Sequence, residues 1–135
     1  MKKSDWILVE QADGHVVVRE LELAAGFLSR LLGLQFRATL PKGRGLLLVP
    51  CGSIHTCFLR FSIDVAFLDA AGRVLAVRKQ TRPWRAVLAP RGTHAVLEML
   101  GGTTNLQADQ CLAAVCQQTG LPIPKSLRFL EFARK

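Results

Sequence analysis

The sequence predicts a mainly β fold, a single-domain β-sandwich or barrel-like arrangement with one short helix near residues 24–32. Three observations lead there. Short apolar runs bounded by glycine, proline or aspartate recur along the chain, at the spacing of strands and turns. Helical periodicity is confined to one stretch, where Ala25, Leu28, Leu31 and Leu32 share a face and Gly33 stands where a helix C-cap would be. The chain has 135 residues, half of them apolar. That is enough for one core and too short for two ordinary domains, so residues 1–135 are expected to form one unit.

The elements follow in order. Ile7–Glu10 and His15–Leu23 read as strands joined at Asp13-Gly14, a dipeptide that favours hairpin turns. After the helical stretch and the turn Pro41-Lys42-Gly43, the run Gly45–Val49 is a continuous apolar strand stopped by Pro50. Ile54–Phe61 and Ile63–Asp69 continue the β pattern. Ala70-Ala71-Gly72-Arg73 turns the chain and Val74–Val77 returns it, which makes Ile63–Arg78 a hairpin. Gln80–Gly92, with Pro83, Pro90 and Gly92, reads as a loop. Ala95–Leu100 and Leu112–Val115 are the last strands, and residues 120–135 are expected to pack as an extended arm through Leu127, Phe129 and Leu130.

At the N-terminus two lysines precede an apolar run, Trp6 to Val9, that ends at Glu10. A secretory core needs about 7–15 apolar residues and a membrane span about 20. The expectation is therefore a cytoplasmic protein with no membrane span. The cysteines fit that setting. Their spacings, C-x5-C at Cys51 and Cys57 and C-x4-C at Cys111 and Cys116, are not those of zinc or redox motifs, so neither a metal nor a disulfide is expected.

Charge is distributed unevenly. From Arg30 to Arg91 there are eleven basic residues and two acids, Asp64 and Asp69, giving +9 within a total of +8. Such a segment attracts anions, whether a small phosphate-like ligand or an acidic polymer; it also fits a solvated face that only maintains solubility. Nucleic acid is the less favoured partner, because no basic helix or aromatic stripe accompanies the charge.

No phosphate-binding glycine loop, nucleophile elbow, zinc-protease helix or paired C-x-x-C appears. What stands out is polar residues set into apolar strands: His55 and Thr56, Arg60 with Asp64, and Glu98. Charges in buried strands need partners. Arg60, Asp64 and Glu98 either form a structural ion-pair network or line a pocket mouth, with His55 available for proton transfer. In Arg82-Pro83-Trp84-Arg85 the aromatic either stacks a planar ligand between arginines or closes the core as a lid.

Several blocks resemble the domain of unknown function 192 family: Gly33-Leu34-Gln35-Phe36-Arg37, Gly45–Pro50, Ile63–Asp69 with Gly72-Arg73-Val74, Ala95–Glu98 and Asp109. The family-like core runs over about residues 21–115. Gln35 stands where the family has methionine. His55-Thr56 and Arg60 replace its usual lysine-asparagine segment, and Ser62 its proline. The chain thus looks like a variant branch. The resemblance implies a mainly β, sandwich-like or barrel-like fold and no established activity.

The leading expectation is a small-molecule or anion-binding β-domain. Its site would use Arg37, His55, Thr56, Arg60, Asp64 and Glu98, with Trp84 over the entrance, and no cofactor. Two alternatives stand beside it. One is a hydrolase or isomerase using His55 with Asp64 or Glu98. The other is an accessory protein that docks on an acidic partner through residues 30–91.

Overall fold

The computed structural model describes residues 5–24, 34, 37–56, 59–118 and 120–132. Its strands are β1 (Trp6–Glu10), β2 (Val16–Val18), β3 (Glu20–Ala24), β4 (Arg44–Leu48), β5 (Ser53–His55), β6 (Ile63–Leu68), β7 (Val74–Thr81), β8 (Ala86–Leu88), β9 (Ala95–Leu100) and β10 (Leu112–Cys116), followed by a 3-10 helix over Lys125–Leu130. They form a five-stranded sheet ordered β3-β4-β9-β6-β7, a three-stranded sheet ordered β10-β1-β2, and a ribbon of β5 with β8. The fold is mainly β, as the sequence predicts. Among the described residues the sheets do not close into a barrel, because the five-stranded sheet ends at β3 and at β7.

The five-stranded sheet is covered on both faces, which is why its central strands read as unbroken apolar runs. All six residues of β6 are buried. One face carries Leu21, Leu47, Ala66, Leu68, Leu97 and Met99, packed against Leu8, Val18 and Leu112 of the three-stranded sheet and against Leu127 and Leu130 of the 3-10 helix. The opposite face carries Ala24, Leu46, Leu48, Val65, Phe67 and Val96, beneath Leu34, Leu40, Leu59 and Val87. The first is the inner face of the sheet and the second the outer face.

The single strand expected over His15–Leu23 is two strands in two sheets. The backbone N–H groups of Arg19 and Glu20 both donate to the Gly43 carbonyl (2.7 and 3.2 Å), and the chain changes sheets there. Glu20–Ala24 then runs parallel to Arg44–Leu48, in a pairing that needs a long connection, here residues 25–43. The expected hairpin is present, antiparallel and longer than foreseen, with β7 reaching Thr81. Of the strand expected from Ile54 to Phe61 the described residues form only β5, and the expected loop after Gln80 contains β8, because the two short segments pair with each other. Of the helix expected near 24–32, Ala24 is the last residue of β3 and the remainder lies outside the described residues. The C-terminal arm contains the 3-10 helix, which buries Leu127 and Leu130. Among the described residues no helix is long and apolar enough to cross a membrane.

Candidate functional site

Two acidic side chains lie inside the five-stranded sheet, and strand register decides what each can do. Asp64 of β6 stands opposite Met99 of β9, whereas Glu98 stands opposite Val65. Directly opposed residues share a face and neighbours in sequence do not. Asp64 therefore points to the inner face and Glu98 to the outer one. The sequence-based grouping of Arg60, Asp64 and Glu98 is divided by the sheet itself.

Asp64 is fully buried and its carboxylate is saturated by backbone donors. Oδ1 accepts from the N–H of Gln80 at 2.8 Å and of Gly102 at 2.9 Å; Oδ2 accepts from Thr103 and Thr104 at 3.0 Å each. The local chain is shaped for this. The β6–β7 register shifts between Ile63 and Val65, and Gln80 in that bulge has φ 51°, which turns its amide toward the carboxylate. Gly102 adopts φ 79° in the loop after β9. Gly101 leaves no room for a side chain, since a Cβ there would sit 2.8 Å from the Ser62 carbonyl oxygen. Burial alone would raise the Asp64 pKa, but the amides of Gln80, Gly102, Thr104 and Thr103 more than offset it and hold the carboxyl below its ordinary range. The Gly-Gly-Thr-Thr loop is thus an anion-binding nest whose anion is Asp64.

Glu98 has the opposite environment. It lies in a row across the outer face, Glu22–Leu46–Glu98–Val65, with leucine and valine on either side. Burial pushes its carboxyl up to about 7, and the Arg37 guanidinium pulls it back only in part. Arg37 bonds to Glu22, with Nη1 donating to Oε2 at 2.7 Å. One row nearer the sheet end, Arg44 pairs with Glu20. Arg37, Glu22 and Glu98 form a polar group on the outer face: one buried carboxyl whose pKa burial raises, one guanidinium beside it, and one carboxylate paired with that guanidinium.

The other candidates collect elsewhere. Thr56 is fully buried and clamps the turn before β8. Its hydroxyl donates to the Arg82 carbonyl at 2.6 Å and accepts from the Arg85 N–H at 2.7 Å, while its carbonyl accepts from the Trp84 N–H at 3.0 Å. Trp84, at φ 63°, is 59% exposed, so it does not close the core. His55 is exposed on the ribbon opposite Ala86. Arg60 is exposed in a bend before β6, not in one strand with Asp64, and makes no ion pair among the described residues. An open cleft of about 470 Å³ bordered by Val49, Pro50, His94 and Phe129 contains none of the seven candidates. Sequence reasoning missed Glu22, whose signal was its place two residues after Glu20 in a half-buried strand. It also missed the nest, whose donors are backbone amides that no side-chain motif marks.

The DUF192 family model, described as uncharacterized ACR, matches residues 8–111. The chain belongs to the DUF192 family. A UPF0127 protein of Pyrococcus horikoshii is 33% identical over 84 residues, spanning 58% of this chain and 70% of the relative. Two crystal structures share the fold. One is a protein of unknown function from Novosphingobium aromaticivorans, with a TM-score of 0.68 and 22% identity, covering 79% of this chain and 81% of that one. The other, from Sinorhizobium meliloti, is named as a candidate transcription regulator; its TM-score is 0.71 and its identity 20%, covering 84% and 94%. At such identities the likeness is one of fold alone. The family carries no established activity.

Proposed function

We propose that this DUF192 protein is a small-molecule-binding β-domain whose ligand sits against Glu98, Arg37 and Glu22 on the outer face of the five-stranded sheet. The ligand would offer a hydrogen-bond donor to Glu98 and an anionic or accepting group to Arg37. The observation that carries this proposal is the Glu98 carboxyl, buried between leucine and valine beside the Arg37 guanidinium, with its pKa raised by that burial to about 7. Perturbed carboxyls of this kind cluster at functional sites.

The hydrolase or isomerase alternative has less support. It needs His55 within about 3 Å of a catalytic carboxyl. Asp64 spends its oxygens on four amides, and His55 is exposed on a different sheet from Glu98. We place the protein in the cytoplasm, in keeping with Cys111 and Cys116 remaining thiols.

The test is a thermal-shift screen of small polar and anionic metabolites with the wild type, Glu98→Gln and Arg37→Ala. A ligand present at a hundred times its Kd stabilises the folded state by about 2.7 kcal/mol. The expected result is a hit that both substitutions abolish. Hits that survive both would place the ligand elsewhere and overturn the assignment.

A further inference from the structure

A second feature lies away from the Glu98 site. The turn between β7 and β8 presents Trp84 to solvent, and Leu88 at the end of β8 is 83% exposed. A bulky residue at positive φ is strained, and such conformations persist only where the surroundings impose them. Thr56 does so here, since its hydrogen bonds to Arg82, Trp84 and Arg85 hold the turn on both sides of the tryptophan. The aromatic is therefore displayed on a preformed turn. Around it the charge has one sign: Arg78, Lys79, Arg82 and Arg85 are all exposed, and the chain has no acid between Asp69 and Glu98. None of the four is in an ion pair among the described residues.

We propose that this ribbon is a docking surface for an anionic phospholipid membrane. Trp84 and Leu88 would enter the headgroup boundary while Arg82 and Arg85 of the same turn meet lipid phosphates. Tryptophan is a residue type favoured at that boundary, and basic side chains beside it are drawn to anionic lipid. An exposed leucine gains there by leaving water. Single-stranded nucleic acid fits the charge but not the rest, because its binders stack successive bases on several aromatics. Here there is one tryptophan with an aliphatic neighbour. A preformed turn also loses little conformational freedom on docking.

The experiment is co-sedimentation of the full chain with vesicles of phosphatidylcholine alone or mixed with phosphatidylglycerol. Tryptophan emission is followed in a Trp6→Phe background, so that Trp84 reports alone. Binding to the mixed vesicles is expected, with a blue shift and with loss as salt rises from about 0.1 M to about 1 M. Trp84→Ala should weaken it by about tenfold, and the double variant Arg82→Glu with Arg85→Glu by about tenfold or more. The double variant alters exposed side chains only, so it keeps the test valid if Trp84→Ala folds poorly. Equal binding to both vesicle types, or binding that the double variant leaves intact, would overturn the proposal. So would tighter binding to oligothymidylate that mixed vesicles cannot displace, which would assign the ribbon to nucleic acid.

Discussion

Asp64 and Glu98 are carboxylic acids on adjacent hydrogen-bonded strands, one register row apart, and they differ in almost every physical property. Asp64 faces the inner side, where four backbone N–H groups surround it and keep it ionised. Glu98 faces the outer side, where leucine and valine flank it and burial raises its pKa to about 7. The difference comes from parity, since a shift of one residue along a strand sends a side chain through the sheet. It separates a structural acid from a candidate functional one more clearly than residue type or burial does.

The largest expected effect tests the structural half. Asp64→Asn keeps the shape but removes the charge, and turns an amino group toward amides that need acceptors. Unfolding in urea should show a loss of about 3–5 kcal/mol. A loss below about 1 kcal/mol would mean that the Gly-Gly-Thr-Thr loop holds its shape without the carboxylate.

The second effect is a pH dependence in which the two acids act in opposite senses. Asp64 has a folded pKa below its unfolded value of 3.8, so its contribution is present above that value and is lost as pH falls through the folded one. Glu98 is raised from 4.5 to about 7, so folding favours its protonated form. Stability then falls as pH rises through this interval, and the penalty is complete above it. A rise of that size corresponds to about 3 kcal/mol. The wild type should thus be most stable in mild acid, and Glu98→Gln should remove the decline between 4.5 and about 7. Denaturation series across that range check this; a wild-type profile that is flat there would refute the environment assigned to Glu98.

How much of this was legible beforehand follows from the same residues. The apolar runs of β6 and β9 were readable as strands, and so were the Ile63–Arg78 hairpin and the need for buried charges to find partners. The register of β6 against β9 was not, because it depends on long-range pairing that no local pattern encodes. Without it Asp64 and Glu98 looked like one cluster. The identity of Asp64's partners was hidden for a second reason: they are backbone amides, which every residue carries, delivered by a bulge at Gln80 and a turn at Gly102. Thr56 illustrates a third limit. Its place in an apolar run was visible, but its work is to bind a turn about thirty residues away.

Removing that work gives the third effect. Thr56→Val preserves shape and deletes the hydroxyl that bridges Arg82 and Arg85. The expected cost is about 1–2 kcal/mol, with faster hydrogen exchange at the Trp84 and Arg85 amides. Exchange there should change far more than at Gly102 and Thr103, because the turn and the nest lie on different elements. Equal acceleration at both would show that the two regions are coupled.

The smallest effect is the one that best separates function from scaffold on the outer face. Arg37 and Arg44 each pair with a glutamate of β3 and each is partly exposed, so neither pair should contribute more than about 1 kcal/mol to stability. Their effects on Glu98 should nevertheless differ. Arg37 is the charge that partly counters burial at Glu98, so Arg37→Ala should move the Glu98 titration upward. Arg44→Ala should leave it in place, since Arg44 lies in the next row and has no part in the Glu98 shift. Side-chain carboxyl chemical shifts followed against pH in the two variants would show this directly. If both arginines moved Glu98 equally, its neighbourhood would be a diffuse basic field, and Arg37 would have no special claim as the second half of a ligand site.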